Sequence, residues 1–345
     1  MTTLPKPLSA ALLLAIAAAA PCLAQSDRVR TRSGTESGKI TKITPLEVTI
    51  ERGRKTTAVK VNEIESLQFG GEPSELSQAR VNARNGGYKL AMEKLAALDA
   101  SSLSNPFVKA DAQFYKAFCQ AKLALLGDAS LSVAGRGLND FLRQNPRSYH
   151  YLAANELLGD LLASAGRYPQ AAEYYKRLGK APFPDFKVRA GVLLGKTLQS
   201  QDKHAEAIKQ FDAALAIQDD GAAAKAQRQA AQLGKAVSLA ATGDVKQGLA
   251  DIQSVLNDCD PAEEQLLASA YNALGSCYLQ AGKKKDALYA FLHVDLIFPS
   301  VAEAHAESLF NLATLWEEVG KAGKAREARN ELQSRYAAST WAKRL

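Results

Sequence analysis

The sequence of 345 residues predicts an all-α right-handed superhelical solenoid of helix-turn-helix repeats, with a small N-terminal β-barrel-like module. Two observations support this fold class. The first is a glycine followed twelve residues later by an alanine, which recurs at Gly159 and Ala171, Gly195 and Ala207, and Gly275 and Ala287. Self-similarity with a period of ~34–40 residues is typical of stacked helical hairpins. The second is a change in the spacing of apolar residues, from alternating to helical, near residue 70.

Residues 1–24 are expected to be a secretory signal peptide of bacterial style. A run rich in alanine and leucine extends from Leu8 to Ala20, and Cys22-Leu23-Ala24 offers small residues before a cleavage point at Gln25. The run is shorter than the ~20 residues of a typical membrane span. An uncleaved anchor and a lipoprotein are the alternatives, and Pro21 argues against lipidation of Cys22. We therefore expect a periplasmic or secreted protein that begins at Gln25 and has no transmembrane span after cleavage.

Residues 25–70 are predicted to form a small β-rich module. Val48-Thr49-Ile50 and Val59-Lys60-Val61 alternate between apolar and polar, as half-buried strands do. Four or five short strands would fit a strongly bent sheet or barrel. The rhythm from Gly38 to Phe69 resembles that of small Sm-like barrels, without residues that would indicate an RNA site. Helical spacing begins after the boundary Gly70-Gly71-Glu72-Pro73, and we expect the two parts to fold as separate units.

Residues 74–345 are predicted to form about six helical hairpins and a C-terminal capping helix, with Ser339 as its N-cap and Trp341 packing back on the array. The clearest hairpin runs from Tyr271 through Leu274-Gly275 and then Ala287, Phe291 and Pro299. These residues resemble the tetratricopeptide repeat family. The resemblance implies a solenoid that binds proteins or peptides in the concave groove of its array.

The spacing within each hairpin also predicts how its helices pack. We expect the glycines, such as Gly195 and Gly275, to lie where the two helices approach most closely, against Ala207 and Ala287. An aromatic residue one turn later would then fill the gap towards the next hairpin.

Catalytic and metal-binding patterns are absent from the sequence. His150, His204, His293 and His305 show no i, i+4 pairing, and none lies beside cysteines at metal-ligand spacing. We therefore predict that the protein is not an enzyme and uses no metal or cofactor. A net charge of +7, spread along the chain, is too diffuse to indicate a nucleic-acid partner. Cys259 is expected to be a free thiol, with a disulfide between two chains as the alternative.

Basic residues recur at matching places on the predicted first helices. In stacked hairpins the residue after the glycine and the residue six before it tend to face the concave groove. These positions hold Arg189, Lys196, Arg228 and Lys235, with Asn272 nearby in a later hairpin. Such a basic stripe would bind an acidic or carboxyl-terminal segment of a partner by charge-assisted hydrogen bonds. Some chaperone-binding members of the family hold a carboxyl tail in this way, although the asparagines that they use are mostly missing here. The alternative is a basic face that is merely solvated.

The function predicted from these features is a non-catalytic protein-protein interaction scaffold of the bacterial cell envelope. One alternative is a component that assembles the outer-membrane or peptidoglycan machinery. Another is a non-catalytic subunit of an enzyme complex.

Overall fold

The computed structural model of the protein describes residues 26–99, 103–219, 221–337 and 339–345. The predicted signal peptide, residues 1–24, lies outside this part of the chain. Five β-strands come first: β1 Asp27–Thr31, β2 Gly34–Ile43, β3 Glu47–Arg52, β4 Lys55–Lys60 and, after a 3₁₀ turn, β5 Ile64–Gln68.

Fourteen α-helices follow the strands in the part of the chain that the structure describes. They are α1 Ser74–Arg84, α2 Tyr88–Ala96, α3 Pro106–Leu126, α4 Leu131–Gln144, α5 Tyr151–Ser164, α6 Tyr168–Gly179, α7 Pro184–Gln199, α8 His204–Leu215, α9 Ala222–Ala241, α10 Val245–Asp258, α11 Glu264–Gln280, α12 Lys284–Ile297, α13 Ala302–Glu318 and α14 Ala322–Arg335. Consecutive helices pack in pairs, and the first helices of successive hairpins also contact one another. None of these helices is both long and apolar enough to cross a membrane.

The pairs make seven hairpins, one more than the number of about six expected from the sequence. The first hairpin is the shortest, with helices of only 11 and 9 residues. Its apolar face is covered by the sheet rather than by a preceding repeat, which explains why its repeat pattern is weak.

The N-terminal sheet is antiparallel and has the strand order β4-β3-β2-β1-β5. Irregularities between Arg30 and Thr31 and between Ile40 and Lys42 shift the register and bend the sheet. The two outer strands, β4 and β5, do not pair with each other, so the sheet is open. The expectation of a barrel-like module is therefore wrong. The buried side chains of Val29 and Ile40 belong to one core cluster with helical residues such as Leu76, so the sheet does not need to close on itself.

The sheet and the first hairpins share one hydrophobic core. Phe69 of the sheet region belongs to the same buried cluster as Leu76 of α1 and Val108 of α3. The Phe69 ring also stacks on that of Phe107, with 6.5 Å between centroids. This shared core argues against the expectation of two separate folding units, which a chain that lacks the sheet would test.

Each repeat glycine leaves room for an aromatic ring. A Cβ atom added to Gly275 would lie 2.6 Å from the nearest carbon of the Phe291 ring, and Gly195 faces Phe211 in the same way. The nearest atoms to these glycines therefore belong to the aromatic rings rather than to Ala207 and Ala287, the neighbours expected from the sequence. Phe211 also abuts Gly234 in the next first helix, which confirms that the aromatic residue fills the gap between hairpins.

The chain ends in a single 3₁₀ turn, Ala342–Arg344, where the sequence predicted a capping helix. The hydroxyl of Ser339 accepts a hydrogen bond from the backbone N–H of Ala342 at 3.0 Å. Trp341 packs back on Phe310 of α13, with 5.4 Å between the ring centroids, as expected.

Candidate functional site

The first helices of the later hairpins form a groove that curls until its walls face each other. Lys196 on α7 lies 3.8 Å from a carboxylate oxygen of Glu303 on α13. At the end of the chain, Lys343 Nζ donates a hydrogen bond to the backbone oxygen of Ser164 on α5 at 2.9 Å, across 179 residues of sequence. These contacts join α5 and α7 to the last hairpin and its tail. Side chains on the inner faces of α5, α7 and α13 therefore lie close to one another.

Two of the predicted groove cations lie on α7, and each has an acidic neighbour. Arg189 donates a hydrogen bond to Glu156 of α5 at 2.5 Å, and the arginine side chain is 46% exposed. Lys196 approaches Glu303, which raises the pKa of this lysine. The walls of the groove thus carry both signs of charge along α7, where the sequence indicated a basic stripe.

The other two predicted cations lie on α9 and differ from each other. Lys235 Nζ lies 2.6 Å from Asp212 of α8. Arg228 is only partly exposed, and its Nη1 atom is buried without a hydrogen-bond partner among the residues described here. An unpaired guanidinium nitrogen is costly to bury. Arg228 is therefore the predicted site residue with the greatest unused capacity to bind an anion.

Asn272 lies between α11 and α13, where it is 1% exposed. Its Nδ2 atom donates a hydrogen bond to the backbone oxygen of Ala304 at 2.8 Å. Its Oδ1 atom has no hydrogen-bond partner within the described ranges. The predicted groove asparagine thus joins two first helices and retains one free acceptor.

Two carboxyl groups of the groove carry perturbed pKa values. Burial and the neighbouring charge of Glu156 raise the pKa of Asp160 to about 7, and Tyr175 donates a hydrogen bond to Asp160 at 2.9 Å. Burial also raises the pKa of Glu307 to about 7, an effect that Lys196 opposes. Both carboxyl groups therefore change charge near neutral pH, and the charge of the groove changes with them.

These two acids are missing from the site predicted from the sequence, although the same spacing rule finds them. Asp160 is the residue after Gly159, and Glu307 lies six residues before Ala313, which replaces the glycine of the last hairpin. The predicted basic stripe draws only on the hairpins around Gly195, Gly234 and Gly275. In all the hairpins together, the same spacing predicts a groove of mixed charge.

A second polar cluster is buried between the sheet boundary and the early helices. Arg80 of α1 bridges Glu72 and Asp111, and its Nε atom lies 2.6 Å from Asp111. His150 Nε2 and the Tyr149 hydroxyl each lie 2.8 Å from the same Asp111 oxygen. Burial acts to raise the pKa of Asp111, but Arg80 and His150 outweigh it and lower that pKa.

This cluster ties α1, α3 and the segment before α5 together. Burial lowers the pKa of His150, so the neutral ring donates its hydrogen to Asp111 at neutral pH. Because each member is hydrogen-bonded to another, the cluster is a structural support. Sequence spacing gave no signal for it, because Asp111 and His150 are 39 residues apart.

The described residues show no candidate metal site, and their three cysteines are free thiols. No group of three or more histidine, cysteine or acidic side chains there could hold a metal ion. Cys119, Cys259 and Cys277 are free. Burial raises the pKa of Cys119 and of Cys277 to about 12, which makes these two thiols unreactive at neutral pH.

Solved structures of other proteins show which fold this chain resembles. No protein-family model and no curated protein matches the sequence. Among solved structures, the Rap protein complexed with Competence and Sporulation Factor aligns with a TM-score of 0.54 and 17% identity, over 78% of this chain and 76% of that chain. The fold is a tetratricopeptide-type solenoid. A tetratricopeptide repeat protein from Parabacteroides merdae aligns with a TM-score of 0.53 and 15% identity, over 78% of this chain and 96% of that chain. At these identities the similarity shows the fold alone.

Proposed function

We propose that this protein is a non-catalytic protein-protein interaction scaffold, which binds a segment of a partner in the groove formed by its first helices. The observation that carries the proposal is the convergence of charged side chains from α5, α7 and α13 on this one groove. Exposed ion pairs contribute only about 0–1 kcal/mol each. The charges of a partner can therefore replace them at little cost.

The proposal includes a preference for an acidic or carboxyl-terminal segment at α9. Arg228 has a buried Nη1 atom with no hydrogen-bond partner in the described ranges, and Lys235 lies two turns later on the same helix. A carboxylate between them would satisfy the guanidinium and compete with Asp212 for Lys235. Charge-assisted hydrogen bonds of this kind contribute about 1.5–3 kcal/mol each.

We place the scaffold in the bacterial cell envelope because residues 1–24 have the pattern of a secretory signal peptide. An envelope-assembly component and a non-catalytic subunit of an enzyme complex are the alternatives. The structure of the Rap protein complexed with Competence and Sporulation Factor is an instance of a similar solenoid with a bound factor. N-terminal sequencing of the protein from an envelope fraction tests the location. We expect a first residue of Gln25, and an intact Met1 or a lipidated Cys22 would contradict cleavage at Gln25.

Crosslinking in the source cells, followed by mass spectrometry, tests the groove. The test variant is Arg228→Glu with Lys235→Glu, which reverses both α9 charges. The matched control is Lys209→Glu with Lys246→Glu, which makes the same change in net charge at exposed positions on the outer helices α8 and α10. We expect the groove variant to lose partners that the parent and the control retain. Equal capture by all three proteins would place the binding surface elsewhere.

A further inference from the structure

The last residues of the chain lie across the groove. Lys343 Nζ donates hydrogen bonds to the backbone oxygen and the hydroxyl of Ser164, at 2.9 and 3.4 Å. The guanidinium of Arg344 lies over the ring of Phe310, 5.0 Å from its centroid, and the Trp341 ring packs on Phe310 as well. The segment Ser339–Leu345 therefore connects α13 to the C-terminal end of α5.

The surface next to this segment has four acids and one aromatic ring, and two of the acids, Glu156 and Glu303, also pair with Arg189 and Lys196 of α7. We call it the acidic groove surface, and its members are Glu156 and Asp160 on α5 and Glu303, Glu307 and Phe310 on α13. The three members on α13 follow i, i+4, i+7 spacing, so they share one face of that helix. The two on α5 are one turn apart for the same reason. Five side chains from two hairpins thus form one surface.

The charged and aromatic side chains of the chain's own tail complement those of this surface. Burial raises the pKa of Glu307, and the charges of Lys196 and Arg344 both oppose that rise, so Arg344 interacts favourably with ionised Glu307. Lys343 lies at the carboxyl end of α5, where the helix dipole favours a positive charge. The tail therefore places Arg344 near Glu307, Lys343 on the oxygens of Ser164, and the Trp341 ring against Phe310.

The acidic groove surface also has unused capacity for hydrogen-bond donors. Asn272 is 1% exposed and interacts with Glu307, and its Oδ1 atom has no partner among the residues that the structure describes. A carboxylate and an amide oxygen together accept hydrogen bonds and donate none. A lysine ammonium or an arginine guanidinium, which only donate, is the complementary group.

The contacts of the tail allow it to be displaced. Lys343, Arg344 and Leu345 are all exposed. The side chains of Lys343 and Arg344 are held by hydrogen bonds to Ser164, by stacking on Phe310 and Trp341, and by the charge of Glu307. A partner with the same chemistry can therefore compete for the surface.

We propose that the acidic groove surface binds a cationic segment of a protein partner that carries an aromatic residue, and that the chain's own tail occupies this surface in the free protein. The inference deepens the proposed function and rests on it, because it takes the groove as the binding surface. It concerns α5 and α13, whereas the carboxylate preference concerns α9. A partner binds here by replacing Trp341, Lys343 and Arg344.

Fluorescence anisotropy with a labelled peptide of sequence Ser-Thr-Trp-Ala-Lys-Arg-Leu, which reproduces residues 339–345, tests the inference. The proteins are the full chain and its Lys343→Ala, Arg344→Ala double variant. In the parent the tethered tail competes with the peptide at high effective concentration. We expect the double variant to bind the peptide about tenfold more tightly than the parent. Equal affinity for both proteins would overturn the inference.

Further substitutions in the double variant locate the site. Adding Glu303→Gln and Glu307→Gln should weaken peptide binding about tenfold, because Glu307 interacts with Arg344 and Glu303 lies one turn away on the same face of α13. The matched control adds Glu317→Gln and Glu318→Gln, which remove the same charge from α13 at residues paired with Arg329 and Lys284. This control should bind like the double variant. Equal weakening by both pairs would show that only net charge matters and would also overturn the inference.

One measurement uses no additional variant of the protein. A peptide in which lysine and arginine are replaced by glutamate should not bind the double variant, and added salt should weaken binding of the original peptide. Binding of both peptides alike would contradict the inference. The crosslinking experiment reports on the groove independently. If the tail peptide fails to bind but the α9 variant still loses its partners, only this inference fails; if both experiments fail, the groove is not the binding surface.

Discussion

Replacing Gly275 by alanine should destabilise the solenoid, although alanine is the better helix former. Gly275 lies within α11, and a Cβ atom there would stand 2.6, 2.7 and 2.8 Å from three carbons of the Phe291 ring. The ring is fully buried, with 0% exposure, so it cannot turn into solvent to avoid the added methyl group. Either the ring must leave its rotamer or α11 and α12 must move apart.

Two opposing effects set the magnitude. Alanine in place of glycine in a helix interior gains about 0.8–1.0 kcal/mol from backbone entropy. Overpacking of a well-packed core costs about 1–3 kcal/mol. The net change in the free energy of unfolding at Gly275 therefore lies between about 0 and a loss of about 2 kcal/mol.

Gly135 provides the matched control, because it also lies inside a helix and a Cβ atom there would meet nothing within 4 Å. Gly135→Ala keeps the entropy gain without overpacking and should stabilise by about 1 kcal/mol. Urea denaturation followed by circular dichroism compares the two variants with the parent. We expect Gly275→Ala to be less stable than Gly135→Ala by about 1–3 kcal/mol, which is the cost of the steric contact alone.

A second substitution identifies the origin of the loss. Phe291→Leu makes room at Gly275, so the two changes together should cost about 1–2 kcal/mol less than the sum of their separate costs. Additive costs would show that Phe291 is not the group that the new methyl contacts. Equal stability of Gly275→Ala and Gly135→Ala would refute the packing argument itself.

Three further predictions concern other parts of the molecule. A chain that starts at Pro73 lacks the sheet that covers Leu76, so it should aggregate, which size-exclusion chromatography would detect. A monomeric helical product would contradict the shared core. Asp111→Ala removes a partner of the buried Arg80, so it should lower the free energy of unfolding by about 3 kcal/mol or more in urea denaturation. A loss under about 1 kcal/mol would show that the cluster contributes little to stability. Because the pKa of Asp160 is raised to about 7 in the folded protein, its stabilising contribution is complete at acidic pH and is lost as the pH rises through about 7. Asp160→Asn should therefore raise the urea midpoint at pH 8. It should also make the midpoint depend less on pH between pH 5.5 and 8. A lower midpoint at pH 8 would contradict the raised pKa.

The sequence by itself determined the hairpins. The spacing of Gly195, Ala207 and Phe211 lies within one hairpin, so local periodicity was sufficient to predict two helices that pack together. The alternation of Val48 and Ile50 likewise predicted a strand with one buried face. Such patterns are readable because each reflects contacts between residues close together in the chain.

The partners of those elements were decided only by the tertiary structure. The curl that brings Lys196 to Glu303, and the tail to Ser164, accumulates from small rotations between successive hairpins, which residue spacing does not encode. The open sheet is a related case. Alternation shows that Val48 and Ile50 lie on a buried face, but it does not show whether that face meets another strand or a helix. The charge balance of the groove depends on which helices face each other across it, and three-dimensional packing alone sets that.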